Sequence, residues 1–246
     1  MPFPAPDHDP ATGLPVGWPV DPSAAPYPGR VVIAGTAVQL EPLDPSLHGD
    51  ALWEGLRGPV NDSLWRYLLD GPYADRAGFD LALEWRARSE SQVFFAILDA
   101  VSKRALGCAA LMRIDPPNRS IEVGNILYTP ELQRTRGATE AMYLLARHVF
   151  EELGYRRYEW KCDSLNAPSR RAALRLGFTY EGIFRQHMIN KGRNRDTAWF
   201  SILDGEWPAR RARLEGWLDP ANFDQEGQQK MALSELDVAG ESSSSG

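Results

Sequence analysis

Between Ser120 and Gly177 the chain switches between strand and helix periodicity in a fixed order, and this constrains its fold more than any other feature. Ser120 to Tyr128 (SIEVGNILY) alternates as a strand does. Thr139 to Leu153 then repeats apolar residues at Ala141, Leu145, Val149 and Leu153, a helical stripe that stops at Gly154, where a C′ glycine sits. Tyr158 to Cys162 is again a strand, and Asn166-Ala167-Pro168-Ser169 opens a second helix that ends at Gly177. Asn accepts from a free first-turn amide, and Pro is tolerated there because its missing donor would be unpaired anyway.

The flanking segments complete the sheet. Thr36 to Leu43 alternates, and residues 46–56, 61–69 and 76–89 read as helices, the last with Leu81, Trp85 and Arg88 on one side. Val93 to Asp99 and Ala105 to Asp115 are strand-like, and Pro116-Pro117-Asn118 turns the chain into Ser120, which makes an antiparallel meander. Phe178 to Asn190 and Asp196 to Leu203 alternate across a hairpin signal at Lys191 to Asn194, and Trp207 to Leu218 closes the domain as a helix. The order predicts an α/β (α+β) arrangement with a mostly antiparallel sheet.

Nine of the 19 prolines precede residue 30, so residues 1–30 form neither a regular helix nor an inner strand. They read as an unstructured tail or as an extended arm that wraps the domain or a partner subunit, with Trp18 and Tyr27 as anchors. Residues 31–220 are the domain, and residues 221–246, ending in ESSSSG, are a polar tail. The arm and the Trp207 helix are the candidate contacts of a homodimer.

Twenty-seven Lys+Arg against 33 Asp+Glu leave a net charge of −6, so the electrostatic footprint of a nucleic-acid binder is missing. No apolar run approaches the roughly 18 to 20 residues of a membrane span. The first residues carry no secretory or transit signal. Cys108 and Cys162 have no CxxC spacing, which argues for a reducing cytoplasm and against a disulfide framework or zinc ribbon, and no other metal-ligand cluster is recognisable.

The chemistry concentrates in Thr129 to Ala141 (TPELQRTRGATEA), between a strand end and the start of the longer helix. A glycine-bearing loop entering a helix aims several unpaired amides at one point, a ready site for a pyrophosphate, and Arg134 and Arg136 add positive charge. Standing alone, such a loop reads equally as a solvated basic surface.

Together with Asn166 to Phe178 (NAPSRRAALRLGF) and Glu181 to Leu203 (EGIFRQHMINKGRNRDTAWFSIL), this loop resembles the GNAT superfamily of acyl-CoA-dependent N-acetyltransferases. Within it the chain is most similar to the branch of ribosomal-protein serine and alanine N-acetyltransferases. The resemblance covers roughly residues 30–205. It implies a GNAT-type mixed sheet of six to seven strands flanked by helices and splayed between two central strands, Ser120 to Tyr128 and Arg157 to Asp163. Acetyl-CoA would lie in that gap. Its pantetheine arm would add to the backbone of Ile126, Leu127 and Tyr128, as a peptide augments a sheet edge. The loop of Gln133, Arg134, Thr135, Arg136, Gly137, Ala138 and Thr139 would hold the pyrophosphate, and Asn166 would bond the pantetheine while capping its own helix, or cap only.

Two departures from the family pattern matter. Arg136 stands where the loop usually has glycine, with Gly137 displaced by one; a side chain where φ must be positive costs on the order of 1 kcal/mol, so the loop is re-registered or follows a less strained path. Arg136 could also pair with a phosphate. Second, Ala173 occupies the position of the tyrosine that protonates the leaving thiolate in many members. Ser169 is the candidate donor in its place, its alternative role being a bond to its own helix end. Glu122 is the candidate base, directly or through water, or else a solvent-facing carboxylate. Asp163 and His187 are weaker candidates. An amide near Leu127 would receive the oxyanion.

The implied activity moves acetyl from acetyl-CoA to a primary amine without a metal. A protein or peptide α-amine leads as acceptor, with a small amine such as an amino-acid derivative or an antibiotic as the alternative; a non-catalytic acyl-CoA sensor is the alternative of another class. Trp53, Trp65 and Trp85 are core residues, or line an aromatic acceptor pocket. The acidic net balance favours a cationic acceptor mildly.

Overall fold

The structure, a computed structural model, describes residues 5–236; residues 1–4 of the arm and the ESSSSG end lie outside them. Strands β1 (Asp7–His8) and β2 (Pro15–Val16) pair only with each other. The domain follows as β3 (Ile33–Ala34), β4 (Val38–Pro42), α1 (Pro45–Leu56), a 3-10 turn at Pro59–Trp65, α2 (Arg76–Arg88), β5 (Val93–Asp99), β6 (Ala105–Asp115) and β7 (Ser120–Tyr128). Its second half comprises α3 (Arg136–Arg147) with a π turn at His148–Glu152, β8 (Arg157–Asp163), α4 (Ala167–Leu176), β9 (Thr179–Asn190), β10 (Arg193–Leu203) and α5 (Trp207–Leu218). The sheet has eight strands in the order β3-β4-β5-β6-β7-β8-β10-β9, antiparallel throughout except for β7 against β8. The short β3 at one edge takes it past the expected six or seven.

Strands buried on both faces need two apolar layers, and alternation along each strand supplies them. Phe95, Ile97, Ala109 and Leu111 point toward α3 and α5, in one core with Leu145, Val149, Trp207 and Leu214. Phe94, Ala96, Cys108, Ala110 and Leu127 point the other way, into a second core with Leu52, Leu56, Phe79 and Leu83 from α1 and α2. In α2 the buried face is Phe79, Leu83 and Arg86, whereas Leu81 and Trp85 are exposed at 70% and 61%. Two stripes at i, i+4, i+7 compete on this helix, and the one containing Arg86 wins because Asp70 pairs with its guanidinium. Trp65 is buried and Trp53 partly so, both in an aromatic cluster with Tyr73 and Phe79.

The arm lies on the domain. The Ala25 amide donates to the Pro116 carbonyl (3.0 Å), Tyr27 to the Glu90 carbonyl (2.7 Å), and Tyr155 to the Pro26 carbonyl (3.1 Å). Trp18, the other expected anchor, is 52% exposed. At the opposite end the chain beyond Leu218 is not merely a polar tail: Phe223 packs at the edge of the core and Leu233 is buried within it. Polar spacing conceals these two side chains in the sequence.

Glu140, in the first turns of α3, fixes the β3–β4 turn. Its buried carboxylate accepts from the amides of Thr36 (2.9 Å), Ala37 (2.6 Å) and Val38 (2.8 Å) and from the Thr36 hydroxyl (2.6 Å). Removing the acceptor strands several donors at once, so Glu140→Ala should cost about 2–4 kcal/mol in urea unfolding, and a loss below about 1 kcal/mol would show that the turn holds without it.

Candidate active site

The site begins where β7 and β8 part. Their parallel ladder runs from Ser120 opposite Arg157 to Val123 opposite Trp160 and then stops, although both strands continue. The cause lies on the other side of β7. Cys108 pairs with Leu127 and Ala110 with Gly124, so β7 carries one residue more than β6 over this stretch. The excess forms a bulge at Asn125, which takes φ = 50° and donates to Gln92 Oε1 (2.6 Å). A bulge bends and twists its strand, here away from β8. The expected splay between Ser120–Tyr128 and Arg157–Asp163 is present.

Backbone groups in the gap follow from ladder alternation. The Thr129 amide donates to Leu106 (2.9 Å), so the Leu127 amide, two residues back, also faces β6, while the Tyr128 amide between them faces the gap. Of the amides near Leu127, that of Tyr128 is the one open to the gap. The Leu127 side chain is buried under α1 and α2, and Ile126 and Tyr128 pack against the opposite core. The Tyr128 hydroxyl reaches the Ala138 carbonyl (3.4 Å), and its carbonyl accepts from Gln133 Nε2 (3.3 Å).

Beyond the strand, the loop enters α3 with Thr135 as its cap; the Thr135 hydroxyl accepts from the Ala138 amide (3.1 Å). The first-turn amides of Arg136 and Gly137 have no carbonyl one turn back to bond. Gly137 has a packing reason: a Cβ there would stand 2.8 Å from Val38 Cγ1. The positive φ has moved off the position of Arg136 without falling on Gly137. Arg134, exposed, takes the positive φ of 62°, and Arg136 is already helical. Nor is the Arg136 side chain placed for a phosphate: it donates to the Leu218 carbonyl (2.5 Å) and lies over the Phe223 ring (5.0 Å). Thr139 is buried and accepts from Arg175 (3.0 Å).

Across the gap, Asn166 Oδ1 caps α4 by accepting the Ser169 amide (3.1 Å). Its Nδ2 makes no hydrogen bond among the described residues. The Ser169 oxygen accepts from the Trp160 indole (2.9 Å), leaving the hydroxyl proton to donate onward. Burial pushes up the nearby Cys162 thiol, and Ser169 offsets part of that rise. A hydroxyl that accepts from an indole and keeps its own proton can donate to a thiolate. Ala173 is fully buried.

The opposite face of the same strands is ionic. Glu122, 4% exposed, lies 3.0 Å from Lys161 Nζ and 2.8 Å from Arg113 Nε. Lys161 also pairs with Glu159 (2.5 Å) and stands 3.9 Å from the centroid of Trp199. Burial raises the pKa of Glu122, and Lys161 and Arg113 oppose that rise. Glu159 is also penalised by burial, yet bonds from Lys161 and Arg157 hold its carboxyl below the usual range. Glu122 is thus a buried, cation-held carboxylate and not a solvent-facing one. Asp163 is buried and accepts the Leu165 amide (2.9 Å). His187 Nδ1 lies 2.9 Å from the Thr197 hydroxyl, beside Phe184 and Trp199.

Sequence reasoning missed how this face is roofed. Lys191, at the tip of the β9–β10 hairpin, donates to the carbonyls of Trp65 (2.8 Å) and Asp70 (3.0 Å), and Tyr67 donates to Leu165 (3.2 Å). The connection between α1 and α2 thereby crosses from one half of the sheet to the other. The aromatic side chains beside the ionic cluster are Phe184 and Trp199, not Trp53, Trp65 or Trp85.

Among the described residues no group of three His, Cys, Asp or Glu could hold a metal, and no helix is long and apolar enough to cross a membrane. A family profile described as an acetyltransferase (GNAT) domain matches residues 39–179. The crystal structure of a GCN5-related N-acetyltransferase from Brucella melitensis is 49% identical, covers 87% of this chain and 96% of its own, and superposes with a TM-score of 0.85. A GNAT-family structure from Chromobacterium violaceum is 42% identical over 83% of this chain and all of its own, with a TM-score of 0.72. A Bacillus subtilis protein named as a candidate ribosomal N-acetyltransferase, YdaF, is 26% identical over 60% of this chain and 80% of its own length. The forked sheet and the family match agree, and the chain belongs to the GNAT acetyltransferases.

Proposed function

We propose that the chain transfers acetyl from acetyl-CoA to the α-amine of a protein or peptide. The observation that carries this reading is the fork between β7 and β8, with hydrogen-bonding groups left over on both of its sides. An unpaired strand edge at Tyr128, the first-turn amides of α3 and the Asn166 amide nitrogen fit an extended amide-bearing chain ending in phosphates. The similarity to YdaF supports a protein amine over other acceptors.

Acetyl-CoA supplies the acyl group as a thioester and leaves as the thiol. The residues of this chain do the rest. The Tyr128 amide donates to the carbonyl oxygen. Ser169, polarised by Trp160, returns a proton to sulfur. On the opposite face Glu122 takes the proton of the amine through water; burial raises its proton affinity, and Lys161 and Arg113 oppose part of that rise. Positioning in the fork supplies much of the remaining rate.

Ser169→Ala should lower kcat roughly 10- to 100-fold, a small effect for a general acid because a thiol of pKa near 8.5 leaves readily, with calorimetric affinity for acetyl-CoA unchanged. Unaltered turnover would remove Ser169 from the mechanism. With a peptide acceptor, kcat/KM should climb with pH and level off above about 8, where an α-amine has lost its proton. A rise that continues toward about pH 10.4 would identify a lysine side chain as the acceptor instead. Glu122→Gln should depress the plateau of that profile roughly a hundredfold, and an intact plateau would assign the base elsewhere.

A further inference from the structure

The charge of the acceptor side is opposite to that of the molecule. The β9–β10 hairpin carries Arg185, Lys191, Arg193 and Arg195 against Glu181 and Asp196, within a chain of net charge −6. Both acids are already engaged. Glu181 is paired with Arg157 (2.6 Å) and accepts from Ser201 (2.7 Å), and Asp196 accepts from the Gln186 amide (2.7 Å) and Asn194 (2.9 Å).

Arg195 stands out among these cations. It is half-buried, and among the described residues its guanidinium has no hydrogen-bond or ion-pair partner; its Nε is buried as well as unpaired. A buried guanidinium nitrogen without an acceptor is costly, a cost that an acceptor arriving with a ligand would remove. Arg195 shares a face of β10 with Thr197 and Trp199, because β10 runs regularly here and the extra residues of this stretch lie on β9. Thr197 bonds His187 and Trp199 carries Lys161, so this is the face of the ionic cluster. On the neighbouring strand Phe184, Arg185, Gln186 and His187 line an open groove of about 630 Å³. His187 is held below its usual pKa by burial and then by the fields of Arg113, Arg195 and Lys161, which sense the same space. The nearby carboxylates, Glu122, Glu159 and Asp163, are all buried and bonded to residues of the chain, so none is left to neutralise Arg195.

Resting on the acetyltransferase reading, we propose that the amine acceptor carries an anionic group, a carboxylate or a group of like charge, and that Arg195 receives it in a paired, charge-assisted bond. The acidic balance of the whole chain, which mildly favoured a cationic acceptor, is therefore overruled at this face by local charge. The chemistry fits either the α-carboxylate of a free amino acid or an acidic side chain near the N-terminus of a peptide.

Two matched pairs separate these sources: leucine against leucinamide, and the amidated peptides Ser-Asp-Ala-Leu against Ser-Asn-Ala-Leu. In at least one pair the acid should be acetylated with kcat/KM at least about tenfold above its neutral twin, the difference residing in KM. Arg195→Ala should abolish that preference while acetyl-CoA affinity stays constant, and Arg195→Lys should retain part of it. Equal use of acid and neutral twin in both pairs, or a preference that survives Arg195→Ala, would overturn the proposal. Calorimetric titration of the CoA-loaded protein with the same four compounds reads recognition without turnover. Tighter binding of an acid that Arg195→Ala removes supports the anion site even where no acetyl transfer occurs, and then only the acetyltransferase reading fails; equal binding of acid and neutral twin overturns the anion site.

Discussion

Everything at this site depends on a parallel pairing that ends after four residues. Val123 and Trp160 are the last partners of β7 and β8, and two different forces hold the closed end of the fork. On one face Ile121, Val123, Tyr158 and Trp160 are packed into the core under α3 and α5. On the other, Lys161 bridges Glu122 on β7 and Glu159 on its own strand. The apolar side supplies binding energy, whereas the ionic side supplies register, because moving charges of this kind out of water costs about as much as their attraction returns. A slip of one residue would put Glu122 into the apolar layer and Ile121 among the charges, and neither could be accommodated.

The open end is produced by the opposite device. One surplus residue on β7 spoils the ladder with β6 at Asn125, and the strand bends away from β8. A long parallel pair would have consumed the edge groups of Tyr128, and a fully separated pair would have exposed the core beneath α3. The bulge gives a third outcome, in which the backbone edge is free while the side chains of Ile126 and Tyr128 stay packed.

Much of this was legible in the sequence. Ser120 to Tyr128 ends where its alternation ends, the strand read from alternation as Tyr158 to Cys162 runs one residue further at each end, and Asn166 and Gly177 bracket α4 because caps are local signals. What escaped was set by partners far along the chain. Arg86 is buried because Asp70 meets it, which no window centred on α2 contains. Asn125 has the alternation of an ordinary strand residue, and its bulge depends on the register of β6. The assignment of Arg136 to a phosphate failed for the same reason: its acceptor, the Leu218 carbonyl, is 82 residues away.

That last case shows how a departure from a family pattern is absorbed. A loop that replaces glycine by arginine gains a long cation at the first turn of α3, where it would add charge directly to an anion site. Here the guanidinium is drawn off toward the end of α5 and stacked on Phe223, both outside the stretch that matches the family profile. The C-terminal segment is thereby tied to the helix start that the loop serves, and Leu233 anchors it in the core. The backbone amides of Arg136 and Gly137 keep the orientation that an anion needs, since a helical first turn fixes them whatever side chain they carry. The substitution has moved a charge and left the amides in place.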